Sequence, residues 1–253
     1  RVSNADSGSE LVATKDAESP PASQVERRTS ALSFKPFRIY FGGTVLAMNA
    51  LRLGAVAQGL LMWELTGSPL SLGGVAAATA IPMMLVNIFG GVFADRYEAK
   101  FLLGGSAFIG ALLFVLLGVL DFTNTVQPWH IFSIAIFAGF VSGADQPSRQ
   151  AYFPSLVPKS AMKSAVTING SLMASASVVA PTVGGLLMAE FGTPFGFFIA
   201  ALGWFAMFTA TVVLPRRGTS IVQRSVLRDL GTGIGYIRSH RVLLVLLILA
   251  FSN

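Results

Sequence analysis

Gly90-Gly91-Val92-Phe93-Ala94-Asp95-Arg96-Tyr97-Glu98-Ala99-Lys100 decides how this chain folds, because it compresses four charged residues into a short break between two long apolar runs. Behind it the apolar residues reach back to about residue 70, and ahead of it they continue from 101 to 120. Each run has about 20 residues or more, the length a helix needs to cross the hydrocarbon of a bilayer. The stretch therefore reads as a tight charged loop joining two membrane-spanning helices.

The same alternation extends in both directions. Apolar segments fall at roughly 37–64, 70–94, 101–120, 129–153, 163–189 and 194–214, and another starts near 242. Six full spans and the start of a seventh follow from these lengths. Hydrophobic residues make up 53% of the chain and charged residues 12%, with a mean hydropathy of +0.66. A soluble domain carries about a quarter charged residues, so the apolar surplus belongs in lipid. The expected organisation is a disordered tail over 1–35, a six-helix transmembrane bundle over 36–214, an amphipathic linker over 215–240, and the beginning of a seventh span over 241–253. The tail is rich in Ser, Ala, Pro and mixed charge, a composition that buries no core, and it lacks the pattern of a signal peptide. The chain opens on Arg1 and ends at Asn253 inside an apolar run, so the expectation is a piece whose C-terminal half is missing.

Orientation follows from the basic residues. Arg96, Lys100, Arg149, Lys159, Lys163, Arg216, Arg217, Arg224, Arg228, Arg238 and Arg241 all fall on one side of this topology, while the loops near 65–69, 121–128 and 190–193 contain neither Lys nor Arg. The positive-inside rule then places the tail and the 215–240 loop in the cytoplasm. It also accounts for a pI near 10.1 without nucleic acid, which requires a basic face on a soluble module. There is no cysteine and there are two histidines, and no cluster has metal-ligand spacing. No enzyme activity, metal or cofactor is expected.

The six spans differ with a period of three. The third and sixth hold no charge and almost no strong hydrogen-bonding side chain, as helices facing lipid should. The first carries Asn49, Arg52 and Gln58, and the fourth carries Ser142, Asp145, Gln146 and Arg149. Polar groups at membrane depth are costly unless they face a bundle interior or water, so spans one and four are expected to line a cavity that three and six shield. Spans two and five correspond as well: each has a proline (Pro82, Pro181), then a glycine pair (Gly90-Gly91, Gly184-Gly185), then an acid (Asp95, Glu190). Two inverted three-helix repeats are the arrangement this suggests.

The opening stretch resembles the loop signature of the major facilitator superfamily at this location: Gly91, Asp95, Arg96 and Lys100 match, whereas Glu98 stands in place of the usual glycine and Ala99 in place of a base. Asp145-Gln146-Pro147-Ser148-Arg149-Gln150-Ala151, with Leu156-Val157-Pro158, Trp63 to Pro69 and Asp229 to Arg241, is similar to one branch of that superfamily, which includes the enterobactin exporter and the transmembrane secretion effectors. The resemblance covers about 37–253. It implies an all-α membrane protein, the N-terminal half of a twelve-helix type of bundle, whose activity is alternating-access transport. Ala180-Pro181-Thr182-Val183-Gly184-Gly185 resembles the exporter motif of the superfamily, with Ala180 replacing its usual glycine.

Individual residues carry specific expectations. Asp95 sits at the C-terminal end of its own helix, where the dipole disfavours negative charge; Arg149 is its expected partner in a gating motif with Gly91, Arg96 and Lys100. A solvated interfacial Asp-Arg turn is the plainer alternative. Arg52 is about 21 Å into a helix starting near Arg38 and cannot shed its proton, so it requires water, an acid or an anionic ligand; Asn49, three residues back, is placed to orient it. Either Arg52 lines a substrate cavity with Asn49, Gln58 and Ser142, or it belongs to a permanent ion pair. Asp145 is the expected proton-coupling carboxylate, with Glu64 and Glu190 interfacial. Gly170, Ala174, Ser177, Pro181 and Gly184 fall on one helical face, with Gly185 beside them, and read as a helix-packing stripe. Val226, Leu227, Leu230, Ile234 and Ile237 repeat at helical spacing in a cytoplasmic surface helix.

The expectation is a multi-pass protein of the cell membrane, a proton-coupled exporter or antiporter of a small amphipathic or anionic molecule of drug or siderophore type. Its partners are the lipid bilayer, the substrate, protons and the C-terminal half. A non-transporting polytopic protein, a sensor or assembly partner, is the alternative class.

Overall fold

The computed structural model describes residues 30–96 and 98–215. Residues 1–29, the linker over 216–240 and the segment 241–253 lie outside the described residues, as do the side chains of 88–97. Within the described part all regular structure is helical: α1 (Lys35–Thr66), α2 (Pro69–Arg96), α3 (Ala99–Phe122), α4 (Pro128–Tyr152), α5 (Met162–Phe191) and α6 (Thr193–Val213), with short 3-10 turns at Ala31–Ser33, Phe153–Leu156 and Lys159–Ala161. The described residues start ahead of the first apolar run. Ala31 is fully buried and its amide donates to Ser164 Oγ at 3.3 Å, which ties the start of α1 to the start of α5.

The sequence sets the helix ends. Proline occupies the first turn of α1, α4 and α6, where its missing N–H costs nothing and its fixed φ suits the helix. Gly67 ends α1 in the left-handed region at φ 59°, and its amide closes on Trp63 O at 2.8 Å, the usual glycine stop. The breaks before α2 and α6 are only two residues and one residue long, so the chain reverses directly into the next span there. Five of the six helices are long and apolar enough to cross a membrane. The exception is α4, equally long at 25 residues but burdened by Asp145, Gln146 and Arg149.

Packing follows a pattern that sequence order does not suggest. The extensive contacts are α1 on α6, α2 on α4, α3 on α6, α3 on α4 and α1 on α5. Helices α3 and α6 thus form a wall behind α1 and α4, and their outward faces are apolar, with Phe108, Leu112, Leu202 and Phe205 exposed. Lipid supplies no hydrophobic drive for helix association, so close fit matters. A Cβ on Gly203 would lie 2.6 Å from both Ala50 Cβ and Leu46 O, and one on Gly143 would lie 2.7 Å from Val86 Cβ. These two glycines let α6 approach α1 and α4 approach α2.

Candidate transport pathway

The bundle has a basic end, where α1 starts, α4 ends and Lys100 opens α3. Just inside it lies a buried polar cluster. Asp145 is 3% exposed and Arg149 5%; four residues apart on α4, they face the same way, and Arg149 Nε meets Asp145 Oδ2 at 2.5 Å. Ser106 Oγ of α3 donates to Asp145 Oδ1 at 3.1 Å. Arg149 Nη1 donates to Thr44 Oγ1 of α1 at 3.2 Å and reaches Met207 Sδ of α6 at 3.7 Å. Tyr40 also lies against Arg149. Four helices therefore converge on one ion pair, whose desolvation is offset by hydrogen bonds as well as by charge. Arg149 Nη2 has no partner among the described residues.

Around this cluster the expected gating residues are distributed differently from the sequence reading. Arg149 is engaged by Asp145, the acid expected to couple protons, while Gly91, Asp95 and Arg96 lie in the last part of α2, where side chains are outside the described residues. Lys100 reaches across to α6. Its Nζ donates to Val212 O at 3.4 Å and to Leu214 O, satisfying terminal carbonyls of α6 with a cation at a helix C-terminus. Tyr152 Oη donates to Pro215 O at 2.9 Å, so α3 and α4 together fix the point where the chain leaves α6.

The expected cavity residues line more than one pocket. Gln58 and Ser142 line a pocket of about 340 Å³ between α1, α2 and α4, with Phe114 of α3 behind it. Asn49 lines a separate groove of about 310 Å³ between α1, α5 and α6. Its Nδ2 is bonded to Val45 O at 2.8 Å, the local bond a mid-helix polar side chain makes with the preceding turn, so it is not oriented on Arg52. Arg52 is exposed on α1 and has neither ion pair nor hydrogen bond among the described residues. An ion-pair partner for Arg52, the alternative reading, is not among the described residues.

The small-residue stripe of α5 also divides. Gly184 is buried against Leu53 of α1, and Pro181 and Gly185 are half-buried, but Gly170, Ala174 and Ser177 are exposed. The face α5 turns inward is instead Ala165, Leu172, Ala176, Ala180, Gly184 and Met188. At the opposite end of the bundle Thr193 Oγ1 donates to Asp121 Oδ2 at 2.6 Å, joining α3 to α6, a contact between two loop-edge residues that no spacing announced. Ser106, Thr44, Tyr40 and Met207 were likewise missed. The i, i+4 spacing of Asp145 and Arg149 signals the ion pair alone, not the residues gathered round it from the other helices.

Comparison with known proteins agrees with this architecture. The family described as transmembrane secretion effector, within the major facilitator superfamily, matches residues 28–252. The staphyloferrin A transporter of Staphylococcus aureus is 24% identical over 169 residues, 66% of this chain and 43% of the relative. The enterobactin exporter EntS of Salmonella choleraesuis is 28% identical over 183 residues, 71% of this chain and 44% of the relative; that of Escherichia coli O1:K1 is 28% identical over 182 residues, 71% and 43%. The matched part of the chain thus spans less than half the length of these relatives. No solved structure matches.

Proposed function

Because the chain belongs to the transmembrane secretion effector family of the major facilitator superfamily, we propose that it is the first half of a proton-coupled exporter that moves a small amphipathic or anionic molecule by alternating access. The observation that carries this reading is Arg52: a cation on a membrane-spanning helix, exposed, and without a partner among the described residues. Helix α1 begins at Lys35, which puts Arg52 about 26 Å along it. A charge that always stays protonated is stable at such depth only with water or an anion before it. Siderophore transporters among the relatives support an anionic or drug-like substrate.

Several finer parts of the mechanism belong to the same reading. Exchanging α1 with α4, α2 with α5 and α3 with α6 turns the α1–α6 contact into α4–α3, turns α1–α5 into α4–α2, and leaves α3–α6 unchanged. That correspondence supports two inverted three-helix repeats. The basic end is cytoplasmic by the charge rule, so the Asp145–Arg149 pair lies on the inner side of the cavity. A proton taken up by Asp145 would cancel its charge and loosen Arg149, freeing α4 relative to α1 and α6. Gly91, Asp95 and Arg96 would close the inner side against the second half.

The test is efflux from cells or vesicles carrying the complete protein, with and without a proton gradient. Gradient-dependent efflux that falls at least tenfold in Arg52→Gln supports the reading. Efflux unchanged in Arg52→Gln and Arg52→Lys removes Arg52 from the pathway, and gradient-dependent efflux retained by Asp145→Asn removes the coupling role. A complete protein that moves nothing under any gradient is not a transporter.

A further inference from the structure

Lys100 stands at the foot of a hollow on the outer wall of the bundle. Its ammonium gives two hydrogens to the carbonyls of Val212 and Leu214, which leaves the third unspent. No carboxylate among the described residues pairs with it. A lysine at a helix end ordinarily extends its charge into water, whereas this one folds across to α6 and borders a cavity of about 390 Å³ between the two helices. Gly104 and Gly105 open the α3 side of that cavity, and a Cβ on Gly105 would meet nothing within 4 Å. Phe101, Phe208 and Val212 give it an apolar lining. The hollow continues along the same seam. A second cavity of about 420 Å³ is walled by Phe108, Leu112 and Val115 of α3 and by Phe198, Leu202 and Phe205 of α6, with no polar side chain in its lining. On α3 the bordering residues Phe101, Gly105, Phe108, Leu112 and Val115 follow spacings of 4, 3, 4 and 3, which is one helical face. Phe108 of the second cavity and Phe208 of the first are in ring contact, centroids 5.3 Å apart, so the two hollows adjoin.

We propose that this seam is a binding site for an anionic phospholipid from the leaflet at the basic end of the bundle. The headgroup phosphate accepts the remaining Lys100 hydrogen, and one acyl chain lies along the seam beyond it. From Lys100 to Val115 the helix rises about 22 Å, against roughly 15 Å of hydrocarbon in a single leaflet, so apolar wall accompanies the chain over its full depth. The bilayer itself supplies this occupant to an outward face of a membrane bundle, and a cation beside an apolar furrow selects the negatively charged lipids from it. A zwitterionic lipid fills the furrow equally well but brings a cation of its own to the headgroup. A free anion gains nothing from the lining past Lys100, which holds no further charge. The site requires a bilayer around α3 and α6 but no transport, so it stands or falls apart from the Arg52 reading.

The experiment is native mass spectrometry of the purified full-length protein in detergent, titrated with palmitoyl-oleoyl phosphatidylglycerol or with the phosphatidylcholine of the same chains. The first phosphatidylglycerol is expected to bind about tenfold tighter than the first phosphatidylcholine, the effect of one charge-assisted hydrogen bond. Lys100→Gln should bring the two lipids level. Lys100→Arg should keep the preference. Gly105→Leu, built into open space, should weaken the first phosphatidylglycerol about tenfold by filling the furrow, with no fall in the melting temperature in lipid-free detergent. Phosphatidylglycerol with a diazirine on its acyl chain should crosslink to the wild type within 105–115 or 198–212 and lose that crosslink in Gly105→Leu. Should Lys100→Gln fail to fold, Gly105→Leu and the crosslink decide the matter by themselves. Equal binding of the two lipids by the wild type, a preference that survives Lys100→Gln, or wild-type binding by Gly105→Leu means annular lipid only and overturns the proposal. Displacement of the lipid by inorganic phosphate means a simple anion site and overturns it as well.

Discussion

Arg149 and Arg52 are the same residue on neighbouring helices, and the bundle treats them in opposite ways. Arg149 is buried and held by an acid, a hydroxyl and a thioether from three helices, whereas Arg52 stands on an exposed face with no partner among the described residues. A fully engaged buried charge fixes the relative positions of the helices that engage it. An unengaged one at membrane depth contributes nothing to those positions and is available to a ligand. Under the proposed function, the contrast separates the part of the molecule that holds the bundle together from the part left open to a substrate.

Breaking the engaged pair should have the largest effect. Arg149→Met leaves Asp145 buried beside Ser106 without its cation, and about 3–5 kcal/mol of stability should be lost in thermal unfolding of the detergent-solubilised protein. The double variant Asp145→Leu with Arg149→Met should recover most of that loss, since replacing both members of a buried pair by apolar groups is often neutral. Recovery would show that the pair matters to the fold through mutual satisfaction; failure to recover would mean that Thr44 and Met207 depend on the guanidinium itself. A step smaller, Gly203→Ala places a Cβ 2.6 Å from the Leu46 carbonyl oxygen, a backbone atom that cannot swing aside. Overpacking of this kind should cost about 1–3 kcal/mol by the same measurement. Ser106→Ala should cost about 1 kcal/mol, because it withdraws one hydrogen bond from a carboxylate that keeps its arginine.

The two regions were unequally legible in the sequence. Span lengths and the polar load of spans one and four could be read directly, because a bilayer imposes a length and a polarity on every helix that crosses it. The Asp145–Arg149 pair is a local pattern too, an acid four residues ahead of a base; the side chain of Asp95, the expected partner of Arg149, lies outside the described residues. Ser106, Thr44 and Met207 were not legible: each is unremarkable in its own helix, and only the packing of α3, α1 and α6 around α4 makes them a cluster. The α5 stripe is legible only in part, for a related reason. Small residues run along more than one face of that helix, and periodicity alone does not say which face turns toward α1 and which stays open.

Arg52→Gln should have the smallest effect on the fold, and that smallness is what makes it informative. Its side chain makes no hydrogen bond or ion pair among the described residues, so its loss should change stability by no more than about 0.5 kcal/mol, the range of a substitution away from buried contacts. A much larger loss would mean that Arg52 has a protein partner in the whole molecule, and the contrast with Arg149 would then be one of location alone, with both arginines holding helices in place. An unchanged melting curve together with reduced affinity for an anionic probe keeps the contrast whole. Arg52→Met sharpens the result further, because removing an unpaired charge from membrane depth lowers the cost of embedding α1, and the apparent melting temperature should hold or rise while anion binding falls.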